Sequence, residues 1–122
     1  MPNIFLSCQD RAYCGKLRAF FQIDPDFEIC GEEPNGVKAA KEALRLQPDL
    51  VILEMELTLA NDFYVAESIK TVLPKVPLFL VTDRHDQLFE RRALARGVDA
   101  VFEKEEDVTP LLLNARAAVG LP

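Results

Sequence analysis

Asp49-Leu50-Val51-Ile52-Leu53-Glu54 is the stretch whose reading decides the fold. Leu50 to Leu53 are apolar without a polar interruption. A strand buried on both faces reads as a continuous apolar run, whereas a half-solvated strand alternates. The run is also too short to be a helix of ordinary length. A similar run, Val76–Thr82, follows later in the chain, so two central strands are expected. Outward from these, Asn3–Ser7, Phe27–Gly31 and Asp99–Phe102 are rich in branched or aromatic residues and read as further strands.

Between the strands the apolar period changes to that of a helix. Tyr13, Leu17, Phe20 and Phe21 share one helical face, as do Val37, Ala40 and Leu44, then Ala66, Ile69 and Leu73, then Val108, Leu111, Ala115 and Ala118. Asp86–Arg96 is a weaker helix, apolar at Leu88, Phe89, Ala93 and Leu94. Asp10 and Asn35 suit N-caps, Pro48, Pro74 and Pro77 stop helices or open strands, and Gly97 suits a left-handed cap. Strands alternating with helices predict an α/β fold, because each crossover helix covers a face of a parallel sheet. No repeat, low-complexity tract or linker divides the chain, so residues 1–122 are expected to form one domain, with any output domain beyond 122.

Composition narrows the function classes. The 122 residues are 49% hydrophobic and 28% charged, which suits a compact domain with a real core. A net charge of −6 supplies no basic face for nucleic acid or anionic lipid, so a protein partner is expected, with no membrane role. Three irregularly spaced cysteines do not make a disulfide framework, and a cytoplasmic protein with free thiols follows. His85 is the only histidine, which leaves no partner for a histidine metal cluster or catalytic triad.

In an open parallel sheet, functional groups gather beyond the carboxyl ends of the strands. Those ends carry Ser7, Cys8 and Gln9, then Glu54 and Met55, then Thr82 and Asp83, then Glu103 and Lys104. With these residues in place, the sequence resembles the receiver domain of two-component response regulators, most like those that precede a helix-turn-helix output domain. The resemblance runs from Ile4-Phe5-Leu6 through Leu17-Arg18-Ala19, Pro48 to Leu53, Val76-Pro77 with Thr82, and Gly97-Val98-Asp99-Ala100 with Lys104. It implies a flavodoxin-like sheet of five parallel strands in the order 2-1-3-4-5, with helices on both faces. It also implies a metal site made by an acidic pair after strand one and an acceptor aspartate after strand three. A threonine and a lysine at the positions of Thr82 and Lys104 would then hold the phosphoryl group.

Much of that chemistry is altered here. Cys8 and Gln9 replace the acidic pair, which removes the hard anionic ligands magnesium prefers, so the magnesium site is expected to be lost and no cofactor is expected. Glu54 stands at the acceptor position, one methylene too long for in-line transfer. Asp83 takes a position that is usually small, Val101 replaces an aromatic switch residue, and Thr58–Asp62 lacks the proline and glycine of the family loop.

Three readings stand open for Glu54: a permanent mimic of the phosphorylated state reaching Lys104 and Thr82, a structural ion pair with Lys104, or a functional glutamyl phosphate. Cys8 is either redox-sensitive at an open strand end or a space-filling residue, while Cys14 and Cys30 read as core. Glu56 is a candidate carboxylate for a weak cation, and Glu105, Glu106 and Asp107 read as acids favouring a helix N-terminus. The reading that results is a degenerate receiver, not an enzyme, acting through protein–protein contacts of helix four, strand five and helix five. Leu88, Phe89 and Arg92 are expected in a partner or homodimer interface. Two alternatives are a competent phosphoacceptor receiver serving an attached or separate transcription output, and a flavodoxin-like binder of a small ligand. Against the latter, Gly31, Gly36 and Gly97 are too scattered for a phosphate loop.

Overall fold

A computed structural model describes residues 1–56, 63–83, 86–104 and 107–122. Strands and helices alternate as β1 (Asn3–Cys8), α1 (Arg11–Ile23), β2 (Glu28–Glu32), α2 (Gly36–Leu46), β3 (Leu50–Glu54), α3 (Tyr64–Val72), β4 (Leu78–Thr82), α4 (Gln87–Ala95), β5 (Ala100–Glu103) and α5 (Thr109–Ala118). The sheet is parallel throughout, in the order β2-β1-β3-β4-β5. This is the predicted topology, and every residue of β3 and β4 is buried, as their unbroken apolar runs require.

Alternation along the strands divides the interior in two. Ile4, Leu6, Leu50, Ile52, Phe79 and Val81 pack with Cys14, Leu17 and Phe21 of α1 and with Leu111 and Ala115 of α5. Phe5, Val51, Leu53, Leu78 and Leu80 face the other way, against α2, α3 and α4. The predicted caps hold α1 and α2: Asp10 accepts from the N–H groups of Ala12 and Tyr13, and Asn35 from those of Val37 and Lys38. Gly97 sits at φ 98°, where a side chain would be strained, and turns the chain from α4 toward β5. No helix among the described residues is long and apolar enough to cross a membrane.

Two helix faces differ from the sequence reading. In α2 the buried residues are Ala39 and Ala43, while Val37 is 80% exposed and Leu44 is 44% exposed. The helix lies close to its neighbours, and a methyl placed on Gly36 would meet Val65 Cγ2 at 2.7 Å, so small side chains win the inner stripe. In α4, Phe89 is not an interface residue. It is 1% exposed and stacks on Phe63 with ring centroids 5.5 Å apart, whereas Leu88 is 59% exposed. The Asp86 carboxylate caps this helix by accepting the Phe89 N–H at 2.8 Å, and Phe89 shares its inward face with Ala93, one turn on, which is also buried. His85, Glu105, Glu106 and the loop Thr58–Asp62 lie outside the described residues.

The inward placement of Phe89 carries a direct stability test. Phe89→Ala is expected to destabilise the domain by about 3–5 kcal/mol. Leu88→Ala should stay within about 0.5 kcal/mol of the parent, as exposed substitutions usually do. Urea denaturation of the two variants checks this, and equal losses would contradict the burial.

Candidate functional site

Glu54 is the last residue of β3 and shares the side of the sheet that carries Leu50 and Ile52, facing α1 and α5. Register sets it beside Cys8 on β1 and Val81 on β4. Only 2% of the residue is exposed. Its Oε1 accepts the Asp10 N–H at 2.8 Å, and its Oε2 lies 3.4 Å from Lys104 Nζ. A closer anion also holds that ammonium, Asp10 Oδ2 at 2.6 Å. Asp10 therefore has three tasks. Its Oδ1 caps α1 by accepting from Ala12 and Tyr13 at 3.0 and 3.1 Å, its Oδ2 binds Lys104, and its N–H satisfies Glu54.

Lys104 is delivered by the end of β5. Its main-chain N–H donates to the Thr82 carbonyl at 3.0 Å, and its ammonium sits 5.8 Å from the centre of the Tyr13 ring, within reach of a cation–π attraction. Main-chain contacts stitch the neighbouring strand ends, with Gln9 N–H on the Glu54 carbonyl at 3.2 Å and Met55 N–H on the Val81 carbonyl at 3.1 Å. The Gln9 amide oxygen accepts the Glu56 N–H at 3.0 Å. Gln9, Asp10, Glu54, Glu56, Asp83 and Lys104 line a cleft of about 240 Å³. Four of those six side chains are carboxylates facing one ammonium.

The charges respond to one another. Hydrogen bonding to Lys104, helped by the Tyr13 N–H, holds the Asp10 carboxyl below the usual aspartate range. Asp10 in turn raises Lys104 above the usual lysine range, with Glu54 adding to the effect. Burial pushes the Tyr13 phenol up to about 12, so it stays neutral beside them.

The structure thus brings Glu54 and Lys104 together and buries Thr82 at the adjacent strand end. Cys8 is 1% exposed and packs in the core, which fits the space-filling reading and not the partly open strand end that the redox reading needs. Val101 is buried on β5. Leu88 and Arg92 lie on the exposed surface of α4 and do not line the cleft. Asp10 is the residue the sequence reading missed, because as an N-cap it already had a sufficient explanation. Its position directly after the substituted pair Cys8-Gln9 was the available signal.

No protein-family profile matches the chain. Among curated proteins, it is 27% identical over 121 residues to the uncharacterized transcriptional regulatory protein YvfU of Bacillus subtilis, covering 98% of this chain and 60% of that protein. It is 26% identical over 88 residues to the response regulator protein VraR of Staphylococcus aureus, covering 72% of this chain and 42% of that protein. The chain therefore spans about half the length of the curated relatives it matches. Among solved structures, the response regulator domain of Thermotoga maritima CheB superposes with a TM-score of 0.83 at 19% identity, covering 100% of this chain and 98% of that one. The chain thus has the fold of a response regulator domain and is similar in sequence to proteins described as response and transcriptional regulators.

The Asp10–Lys104 pair has a defined pH window. The lowered carboxyl contributes stability above the ordinary aspartate value of 3.8 and loses it as pH falls through its own lower value. The raised ammonium contributes fully below the ordinary lysine value of 10.5 and loses it only as pH rises through its higher folded value. Asp10→Asn retains an acceptor for the helix cap and removes the ion pair. The stability difference between parent and variant should therefore be level across neutral pH and shrink at both extremes. Thermal melts across pH check this, and a difference independent of pH, or one that grows toward acid or alkali, would contradict the pairing.

Proposed function

We propose that this chain is a receiver whose output state is set by binding and not by aspartyl phosphorylation. The observation that supports this reading is the occupation of Lys104: the ammonium that would meet an incoming phosphoryl group is already held by Asp10 at 2.6 Å and Glu54 at 3.4 Å. Glu54 acts here as a built-in stand-in for the phosphorylated acceptor, with Asp10 as the closer of the two anions. A phosphodonor would have to displace both, against the further negative charge of Glu56 and Asp83 at the cleft.

The magnesium that the family resemblance implies does not suit these donors. Cys8 offers a buried thiol, a soft donor where magnesium takes oxygen. Gln9 offers a neutral amide oxygen already engaged by the Glu56 N–H, and Glu54 is tied to Asp10 and Lys104. Phosphoryl transfer depends on positioning and charge neutralisation acting together, and both are altered.

The signalling output of the whole protein would then come from protein contacts. Leu88 and Arg92 on α4 and Leu113 on α5 are exposed, and an apolar residue flanked by charges is the usual makeup of an interface anchor with its rim. Because no population shift remains for phosphate to supply, this surface should bind its partner, or a second copy, without a stimulus.

Two experiments test the proposal. Acetyl phosphate with magnesium should leave the intact mass unchanged, and Glu54→Asp alone should not restore labelling, whereas Glu54→Asp with Cys8→Asp and Gln9→Asp should. Gain of one phosphoryl group on the unaltered chain would favour the competent phosphoacceptor instead. Leu88→Glu and Arg92→Glu should each weaken self-association or partner capture by the unmodified protein, by about 2 kcal/mol if they are hot spots, or roughly thirtyfold. Sedimentation unchanged in both would move the interface off α4.

A further inference from the structure

The two ends of α1 are held alike, by two cations that flank the start and the end of α5. At the start of α1 the N-cap Asp10 binds Lys104, whose ammonium also faces the Tyr13 ring at 5.8 Å. At its end the C-cap residue Asp24 takes Arg116 Nη1 at 2.9 Å, and the Phe27 ring lies 6.0 Å from the guanidinium carbon. Arg116 Nη2 reaches Asp26 at 2.8 Å, and its Nε donates to the Pro122 carbonyl at 2.9 Å. Each strap is thus a carboxylate at a helix end plus an aromatic face. Asp24 is itself fixed, since its Oδ1 accepts the Asp26 N–H at 2.9 Å. Between the straps Leu17 and Phe21 of α1 pack with Leu111 and Ala115 of α5. Beyond α5, Gly120 turns the chain at φ 79°, so that the Leu121 N–H returns to the Arg116 carbonyl at 2.8 Å and Leu121 folds onto the same core.

We infer that α1 carries the state of the Lys104 cleft to Leu121 and Pro122: with both straps closed the helix lies fixed on α5, and opening either strap loosens the other. The 13 residues of α1 make a rod about 20 Å long at 1.5 Å per residue. Its main-chain bonds are internal, so a displacement at the N-cap is passed along the rod more readily than it is absorbed. Lys104 and Asp10 both line the cleft, so any solute or partner side chain that draws the ammonium away opens the first strap. The second strap is built to register movement. One planar guanidinium has to match the Asp24 and Asp26 carboxylates and the Pro122 carbonyl together, and a shift of Asp24 spoils that alignment. The coupling is reciprocal by thermodynamic necessity. It holds whether or not Glu54 stands in for a phosphorylated acceptor, because neither strap involves phosphate.

Amide hydrogen exchange of the full chain, followed residue by residue by NMR at constant pH, tests the coupling. Asp10→Asn keeps an acceptor for the helix cap and removes the first strap. It should speed exchange of the remote Leu121 N–H at least about fivefold, the low end of coupling between sites. Arg116→Gln removes the second strap and should speed exchange of the Asp10 N–H, which is donated to Glu54, by a similar factor. Asp24→Asn, which spares the other Arg116 contacts, should act in the same direction as Arg116→Gln. Exchange of the Leu80 N–H in the buried strand β4 measures any loss of global stability and normalises each variant. Glu42→Gln, which removes an exposed ion pair on α2, should move neither end. Contacts this far apart ordinarily act independently, so the remote response decides the matter. Faster exchange confined to the end that carries the substitution, or remote changes no larger than that of Leu80, would overturn the inference.

Discussion

A carboxylate buried at the tip of a central strand has to be neutralised, and the organisation of this domain's working end follows from that requirement. Glu54 has almost no contact with solvent. Leaving such a charge unpartnered would cost several kcal/mol, a large share of the stability of a domain this size. The demand is met from two directions, by the Asp10 N–H at the start of α1 and by Lys104 at the end of β5. Those two elements reach the centre of the sheet from opposite sides. Their meeting point is consequently where the first, third and fifth strands are tied together beyond the hydrogen bonds of the sheet itself.

The division of labour between the two carboxylates is unequal. Asp10 is the nearer partner of Lys104 and is more open to solvent, while Glu54 is farther from it and almost sealed. The nearer contact is charge-assisted and short, and it is reinforced by the helix cap that immobilises the same side chain. Glu54 gains its stability as much from the Asp10 main chain as from the lysine. Loss of either acid would therefore be felt through the other, so the three residues behave as a unit more than as two independent pairs.

The fold was legible in the sequence because its strongest signals are one-dimensional. Continuous apolar runs in β3 and β4 announce strands buried on both faces, and Asp10, Asn35 and Gly97 mark ends by local chemistry alone. What sequence could not supply is which of two adjacent apolar stripes faces inward. In α2 the more hydrophobic Val37 and Leu44 lost the inner position to Ala39 and Ala43, since close packing rewards small volume over hydrophobicity. In α4 the neighbours Leu88 and Phe89 are both apolar, and packing against Phe63 with Ala93 on the same face takes Phe89 inward and leaves Leu88 outside. At the site, Glu54 and Lys104 could be placed because strand ends converge in any such sheet. Asp10's role could not, because its partner Lys104 follows β5 and the two meet only once the strands have assembled in the order β1-β3-β4-β5.

The surplus of negative charge at the cleft has a kinetic consequence. Counting Asp10, Glu54, Glu56 and Asp83 against Lys104, the lining carries three more negative than positive groups when all are ionised. Low-dielectric walls concentrate such a field at the mouth of a cleft, so the local population of small anions is depressed there and that of cations is raised. Mobile ions confine the effect to within about 10 Å at moderate salt. The domain thus sorts approaching solutes by sign before any contact forms, and it does so more sharply in dilute buffer than in brine.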